Sequence, residues 1–216
     1  MPAQIPLPLH TPAKLGRGDF IVGPGNSAAV SFIDRWPDWP HPAAALFGPP
    51  GSGKSHLAGV WADQAKADVI ESDDLKPAVL AHAAPLVIEN VDVQARPHEA
   101  EVVLFALLER GHSVLFTAHQ PPAAWTAELP DLRSRFDALL NFPLWAPDDA
   151  LLQALAKKLF ADRQLAVPEQ VIAQMICALE RSPAAVRDFV HRADEAALAQ
   201  KRAITPALIR ELLVND

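Results

Sequence analysis

Residues 48–55 read GPPGSGKS and match the pattern G-x-x-x-x-G-K-[ST] at every fixed position. A short apolar run, residues 43–47, precedes them, and a helix-forming stretch follows from about Lys54 to Lys66. In a strand–turn–helix context such a turn cradles phosphate groups, because its backbone N–H groups and the positive end of the helix dipole face the anion. The sequence therefore predicts a phosphate loop.

The residue types within this loop predict separate tasks. Glycines at 51 and 53 let the backbone turn its N–H groups inward, while Lys54 can reach the β- and γ-phosphate positions and the Ser55 hydroxyl can sit on Mg²⁺. We expect ADP or ATP with Mg²⁺ as the cofactor. The residues predicted to contact it here are Gly48, Pro49, Pro50, Gly51, Ser52, Gly53, Lys54, Ser55 and His56.

Composition narrows the class of protein. The 216 residues, 50% of them hydrophobic, suit one nucleotide-binding domain with a small appendage. No apolar run reaches membrane-spanning length, and the N-terminus does not resemble a secretion signal, so we expect a cytoplasmic protein that contacts no membrane. The single cysteine, Cys177, lies among apolar residues and is predicted to be a buried core thiol.

The charge balance bears on partners. A net charge of −7 and the lack of a lysine or arginine cluster argue against tight autonomous binding to duplex DNA, which usually needs a basic face to displace counterions. A protein partner is favoured instead.

Apolar runs alternate with helical stretches through the first two thirds of the chain. This alternation predicts an α/β domain with a parallel sheet flanked by helices. The strand-like runs are 43–47, 68–71, 85–89, 113–117 and, more weakly, 139–143, and the helical stretches include 26–35 and 97–110.

Three segments are expected. Residues 1–19, rich in proline, form a flexible arm, and residues 20–146 form the α/β domain. In residues 147–216 apolar side chains recur at helical spacing, which predicts a small all-α lid of about four helices. The last of these begins near Thr205-Pro206 and ends near Leu213.

An acidic strand end completes the predicted site. The run 85–89 ends at Glu89, which we expect to face the metal together with Ser55, and Asn90 follows in the place of the base that polarises water. An amide cannot accept a proton at neutral pH. We therefore expect nucleotide binding with little or no hydrolysis.

Other polar residues carry weaker signals. Thr117 and His119 follow a strand that should lie beside Glu89, so either could touch the γ-phosphate or a water, although a lone histidine is more often structural. Arg133 and Arg135 could be ordinary surface charges. Arg187 would point toward the nucleotide if the lid folds onto the phosphate loop.

The order of these pieces resembles the AAA+ domain of the bacterial replication initiator DnaA over roughly residues 15–216. The resemblance implies that Ser134-Arg135-Phe136 is an arginine-finger motif, which reaches a nucleotide bound by a neighbouring subunit. Val186-Arg187 matches the sensor-2 arginine. Thr117 to Pro122 match the sensor-1 strand and its T-x-x-x-P-P tail, with His119 in place of an acidic residue. The segment matching the adenine border contains Phe20, Val22 and Asn26.

The start of the chain adds a second resemblance. Residues 4–9, QIPLPL, are similar to the Q-L-x-L-x-L peptide that docks on the DNA polymerase III β sliding clamp. The glutamine can form a hydrogen bond at the rim of the pocket, and the apolar side chains can anchor the peptide in it. The prolines restrict the free peptide and so reduce the entropy lost on binding. The predicted contacts are Gln4, Ile5, Leu7, Pro8 and Leu9.

Together the two resemblances imply a member of the DnaA/Hda family of AAA+ proteins, with DnaA and the clamp as partners. The implied activity is negative regulation of replication initiation by stimulating ATP hydrolysis in DnaA. We expect neither the helix-turn-helix domain with which DnaA reads DNA nor its N-terminal helicase-interaction domain.

Two other functions stay open. A helicase loader or transposition-type AAA+ ATPase would act on DNA directly, and an autonomous small-molecule kinase would need an acceptor-binding insertion and a catalytic acid. The sequence does not predict the oligomeric state.

Overall fold

A computed structural model of the chain describes residues 16–92, 96–200 and 203–214. The predicted clamp-binding residues Gln4, Ile5, Leu7, Pro8 and Leu9 lie outside the described residues. The last part of the predicted arm is described: Arg17–Asp19 forms a 3-10 turn, and Arg17 donates two hydrogen bonds of 2.8 Å to the carboxylate of Asp34.

A five-stranded parallel sheet forms the centre of the fold, which confirms the predicted α/β architecture. The spatial order of the strands is β2-β3-β4-β1-β5. Their bounds are β1 Ala43–Phe47, β2 Asp68–Glu71, β3 Leu86–Glu89, β4 Val114–Ala118 and β5 Leu140–Pro143. Since all five strands are parallel, their carboxyl ends meet at one edge, where the loops that follow them come together.

Helices cover both faces of this sheet. The described residues contain α1 Ser27–Ile33, α2 Lys54–Ala65, α3 His98–Glu109, α4 Pro130–Asp137, α5 Asp149–Asp162, α6 Glu169–Ala178, α7 Pro183–Gln200 and α8 Pro206–Val214. Strand residues alternate between two cores: Ala45 packs with α3 and α4 on one face, and Ala44 packs with α1 and α2 on the other. Both faces of the strands are apolar because both are buried.

Helices α5 to α8 form a third core of their own, as the helical spacing predicted. Ile21, from the segment before α1, packs against this core and so connects that segment to the lid. The prediction for Cys177 is wrong, because the residue is exposed. The buried face of α6 contains Ile172 and Met175, whereas Cys177 lies on a different face of the helix, which is open to solvent.

No helix among the described residues has both the length and the apolar composition that a bilayer crossing requires.

Phe136 anchors α4 to the sheet, with 0% of its surface exposed and its ring centroid 5.0 Å from that of Trp125. We expect Phe136→Ala to lower the free energy of unfolding by about 3–5 kcal/mol, because it leaves a cavity in the core. Arg133→Ala, on the exposed face of the same helix, is the control and should change it by less than about 0.5 kcal/mol. Urea unfolding followed by circular dichroism measures both. A loss below about 1 kcal/mol for Phe136→Ala would contradict the anchoring role.

Candidate functional site

The phosphate loop links β1 to α2 and depends on glycines. Gly48 has φ +153°, and a Cβ there would lie 2.0 Å from the carbonyl oxygen of Leu144. Gly53 has φ +100°, and a Cβ there would lie 3.1 Å from the ring of Phe20. Residues that carry a side chain rarely adopt these backbone conformations, and a Cβ at either position would also come too close to neighbouring atoms. The loop can therefore hold its backbone N–H groups in this arrangement only with glycine at these positions.

Lys54, the first residue of α2, is 7% exposed and lies against the loop. Its ammonium donates hydrogen bonds to the carbonyl oxygens of Gly48 at 2.7 Å and Pro49 at 2.9 Å. Burial lowers the pKa of Lys54, while the charges of Asp92 and Glu89 oppose that shift. An ammonium has three donors, so a lysine held in this way can also donate to a phosphate oxygen.

The two predicted metal ligands lie together. The Ser55 hydroxyl donates a 3.0 Å hydrogen bond to Oε2 of Glu89 at the end of β3. Burial raises the pKa of Glu89, the bond from Ser55 lowers it, and the charge of Glu71 raises it again. Hydroxyl and carboxylate oxygens are hard donors, and Mg²⁺ usually takes only one or two protein ligands beside phosphates and water. This pair fits such an ion.

Asn90 has a structural task that its sequence position did not reveal. Its φ is +56°, a conformation that asparagine tolerates better than most residues. Its backbone N–H donates to the hydroxyl of Thr117 at 3.1 Å, and its side-chain amide donates to Oε2 of Glu71 at 3.1 Å. Thr117 thus supports the end of β3 with a buried hydroxyl, and the Asn90 amide is directed toward the end of β2.

His119 lies at the end of β4 beside a carboxylate that the sequence analysis missed. The backbone N–H of His119 donates to both oxygens of Asp92, at 2.9 and 2.8 Å, and the N–H of Gln120 donates to one of them at 2.6 Å. The His119 ring nitrogen Nδ1 is 3.5 Å from Asp92 Oδ1. The Asp92 side chain is only 6% exposed. Its one signal in the sequence is an acid following an apolar residue just after the Glu89-Asn90 pair.

A cavity of about 230 Å³ opens between the phosphate loop, the segment before α1 and the lid. Its wall combines the cation of Arg187 with aromatic and apolar side chains, which suits a ligand that has an anionic group and a planar group. The residues that line it include Phe20, Ile21, Asn26, Ser52, Gly53, His56, Trp145, Leu151 and Arg187.

The segment before α1 borders this cavity, but not through all the residues predicted. Val22 is 49% exposed and is not among the residues that line the cavity, whereas its neighbour Ile21 is. Asn26 shapes the segment: its amide donates to the Ile21 carbonyl at 3.0 Å, and its Oδ1 accepts from the Gly23 N–H at 2.9 Å.

Arg187 of α7 reaches across to α2. Its Nη2 donates to Nδ1 of His56 at 3.2 Å, and His56 donates from Nε2 to the carbonyl oxygen of Gly16 at 3.1 Å. This assignment requires a neutral imidazole, and burial lowers the pKa of His56 in agreement. Burial also lowers the pKa of Arg187, whose Nε is buried and has no hydrogen-bond partner among the described residues. An anion in the cavity would supply such a partner.

Arg135 lies away from the cavity. It occupies the last turn of α4, is 48% exposed, and forms an ion pair with Glu109 at the end of α3. Helix α4 packs on the opposite face of the sheet from α2. The Arg135 side chain is thus presented outward, with Phe136 buried beneath it.

No family model and no curated protein matches this chain. Domain III of the Thermotoga maritima replication initiation protein DnaA superposes with a TM-score of 0.74 at 18% identity, covering 92% of this chain and 95% of that one. The Thermotoga maritima RuvB Holliday junction branch migration motor superposes with a TM-score of 0.73 at 17% identity, and the match covers 93% of this chain and 71% of RuvB. AMPPCP-bound DnaA from Aquifex aeolicus superposes with a TM-score of 0.70 at 17% identity, and the match covers 87% of this chain and 68% of that DnaA chain.

This chain has the AAA+ fold found in DnaA and RuvB. The fold predicted from the phosphate loop and the strand pattern is thereby confirmed. At these identities the likeness concerns the fold alone.

The His56–Arg187 contact predicts a dependence of stability on pH. The folded state lowers the pKa of His56 below its ordinary value of 6.5, so the unfolded state binds the proton first as pH falls. Stability is therefore fully present above about pH 6.5 and declines as pH falls toward the folded pKa. We expect the free energy of unfolding to fall less for His56→Gln than for the wild type when the pH is lowered from about 7.5 to 5.5.

Urea unfolding at several pH values tests this expectation. His41→Gln, at an exposed position, is the matched control and should keep the wild-type dependence. Equal pH dependence in His56→Gln and the wild type would refute the neutral assignment.

Proposed function

We propose that this protein is an Hda-like regulator of replication initiation. It binds ADP or ATP with Mg²⁺, docks on the DNA polymerase III β sliding clamp, and stimulates ATP hydrolysis by DnaA. The observation that carries the proposal is the placement of Arg135: an exposed guanidinium on a helix anchored by buried Phe136, on the face of the sheet opposite its own phosphate-loop helix.

Nucleotide binding is supported by the convergence of groups at the phosphate loop. Lys54 supplies positive charge against the phosphate loop, and Arg187 supplies it in the wall of the adjoining cavity. The helix dipole of α2 adds to that of Lys54. The apolar lining residues Phe20 and Ile21 suit the base. Bound Mg²⁺ would neutralise phosphate charge, with Ser55 and Glu89 as its protein ligands.

Weak intrinsic hydrolysis is supported by the residue after Glu89. An amide at position 90 cannot take a proton from water, and here it donates to Glu71 instead. A protein that holds its nucleotide without consuming it suits a regulatory partner better than a motor.

Arg135 supplies the activity in this proposal. A guanidinium inserted beside the γ-phosphate of another subunit stabilises charge that develops during transfer. The ion pair with Glu109 is exposed and contributes little energy, so the side chain can exchange it for a phosphate.

Clamp binding rests on the sequence of residues 4–9 alone. The net charge of −7 agrees with protein partners rather than tight autonomous DNA binding.

The second candidate is a helicase-loader-like AAA+ ATPase that acts on DNA directly. The similar fold of RuvB, a Holliday junction branch migration motor, favours it. This function requires ready hydrolysis by the protein's own site, so the two candidates differ in a measurable rate.

The phosphate loop generates the first functional prediction. Lys54→Ala should weaken ADP binding by about 100-fold, because a buried charge-assisted contact to phosphate is lost. Calorimetric titration with ADP measures the change, and Lys76→Ala, at an exposed position, should bind like the wild type. The wild type should turn ATP over very slowly. Robust wild-type hydrolysis that Asn90→Ala abolishes would instead favour the second candidate.

Arg135 generates the second functional prediction. Arg135→Ala should keep ADP and clamp binding yet stop stimulation of DnaA, since such fingers contribute about 10³–10⁵ in rate. Arg135→Lys should fail as well, because its compact charge lacks the guanidinium fork. A single-turnover assay of DnaA-bound ATP with clamp-loaded DNA measures this effect.

Two controls sharpen that assay. Arg133→Ala should stimulate nearly as well as the wild type, and replacing Gln4, Leu7 and Leu9 by alanine should remove clamp binding without changing thermal stability. Full stimulation by Arg135→Ala would show that the finger lies elsewhere or that DnaA is not the partner.

A further inference from the structure

Arg187 lines the cavity and keeps part of its guanidinium unused. Its Nη2 donates to Nδ1 of His56 at 3.2 Å, while its Nε is buried and has no hydrogen-bond partner among the described residues. A guanidinium can only donate, and a buried donor without an acceptor is costly. An anionic group of a ligand in the cavity would supply that acceptor. The orientation of Arg187 therefore bears directly on what the cavity binds.

His56, in the first turn of α2, is the residue that orients this guanidinium. Because an arginine can only donate, Nδ1 of His56 must accept. Because a carbonyl oxygen can only accept, Nε2 must donate to the oxygen of Gly16, 3.1 Å away. The two partners together select one neutral tautomer of the ring. Since the guanidinium is planar and rigid, the bond at Nη2 also sets the direction of the Nε N–H group of Arg187.

Phe20 holds the His56 ring from another side. The two ring centroids lie 5.1 Å apart with the ring planes at 71°, which is an edge-on contact. Phe20 is itself buried, and its ring lies close to Gly53 of the phosphate loop, where a Cβ would be 3.1 Å from it. The imidazole is therefore restrained by packing as well as by its two hydrogen bonds.

The Gly16 carbonyl belongs to a turn that the lid secures. Asp19 closes this turn twice: its backbone N–H donates to the Gly16 oxygen at 3.0 Å, and its Oδ2 accepts from the Gly16 N–H at 3.1 Å. Its other oxygen, Oδ1, accepts from Lys158 on α5 at 2.9 Å. A path of direct contacts thus runs from α5, through this turn and His56, to Arg187 on α7. Helices α5 and α7 pack in one core, so the path begins and ends in the lid.

We propose that His56 is a positioning residue, which holds the guanidinium of Arg187 in the orientation that binds a phosphate group of the nucleotide. His56 acts through Arg187 rather than by the direct contact with the cofactor that the sequence predicts for it. The turn that begins at Gly16 keeps the imidazole in the tautomer that accepts from the arginine. This inference rests on the nucleotide binding of the proposed function.

A double-mutant cycle on the full chain, measured by calorimetric titration with ADP, tests the proposal. Arg187→Ala should weaken ADP binding by about 10- to 100-fold, the range for losing a hydrogen bond between charged partners. His56→Phe keeps a ring against Phe20 but removes the acceptor, and should weaken binding by about tenfold. In the Arg187→Ala background the same change should weaken it by less than about twofold, because no guanidinium is left to orient. Circular dichroism establishes that each variant folds.

A conservative variant separates positioning from simple support of the fold. His56→Asn places an amide oxygen near the position of Nδ1, but it lacks the ring and therefore the edge-on contact with Phe20. If the acceptor for Arg187 is what matters, this variant should bind ADP within about threefold of the wild type. Support by packing of the ring would not be restored in this way.

The far end of the path provides a second test with a matched control. Lys158→Met releases Asp19 from the lid and should weaken ADP binding by about threefold, and it should have no effect in the Arg187→Ala background. Lys157→Met breaks only the exposed ion pair with Glu169 and should bind ADP like the wild type. The Lys158 variant keeps the test decisive if His56→Phe does not fold, since equal losses from both lysine variants would then overturn the inference.

The outcomes distinguish this inference from the proposed function. Unchanged ADP binding by Arg187→Ala would overturn the inference alone, as would a His56→Asn protein that binds as weakly as His56→Phe. A loss from His56→Phe that keeps its full size in the Arg187→Ala background would also overturn it, because His56 would then contact the nucleotide itself. Failure of the wild type to bind ADP would refute the proposed function and this inference with it.

Discussion

The buried ammonium of Lys54 is the constraint on which the site depends. A charge with 7% exposure is costly unless neighbouring groups stabilise it. The loop carbonyls of Gly48 and Pro49 accept its protons, and the carboxylates of Glu89 and Asp92 oppose the lowering of its pKa. Each of these groups follows or ends a parallel strand, so the sheet must place the carboxyl ends of β1 and β3 at one edge. The buried charge of Lys54 is therefore stabilised by groups that only this arrangement of strands brings together.

The lid brings a second cation, Arg187, to the wall of the cavity beside the phosphate loop. Ile21 packs into the helical core, and Arg187 donates to His56 on α2, so lid and sheet meet around the cavity. Because His56 is neutral, its ring accepts a hydrogen bond from Arg187 instead of repelling the guanidinium. The phosphate loop, the segment before α1 and the lid each supply part of the wall, and none of them forms the cavity alone.

On the opposite face of the sheet, α3 fixes the position of α4. Helix α3 holds α4 at both ends, since Glu101 binds the backbone before the first turn and Glu109 pairs with Arg135 in the last turn. Phe136 fills the core beneath them. In the proposed function Arg135 reaches another protein and needs a rigid base, because a misplaced guanidinium loses most of its effect on a transferring phosphate. The contacts from Asp92 and Trp125 add to that rigidity.

The sequence by itself determined the elements whose signals are local. Glycine spacing marked the phosphate loop, and apolar runs placed β2 at 68–71 and β4 within one residue, because strand period and turn residues act over a few positions. Only the tertiary structure decided contacts between distant residues. It placed Asp92 on His119, 27 positions away, turned Asn90 toward Glu71, and set Ile21 rather than Val22 in the cavity wall. It also exposed Cys177, because its neighbours on α6 fill the core face. Such outcomes depend on which elements pack together, which no local pattern records.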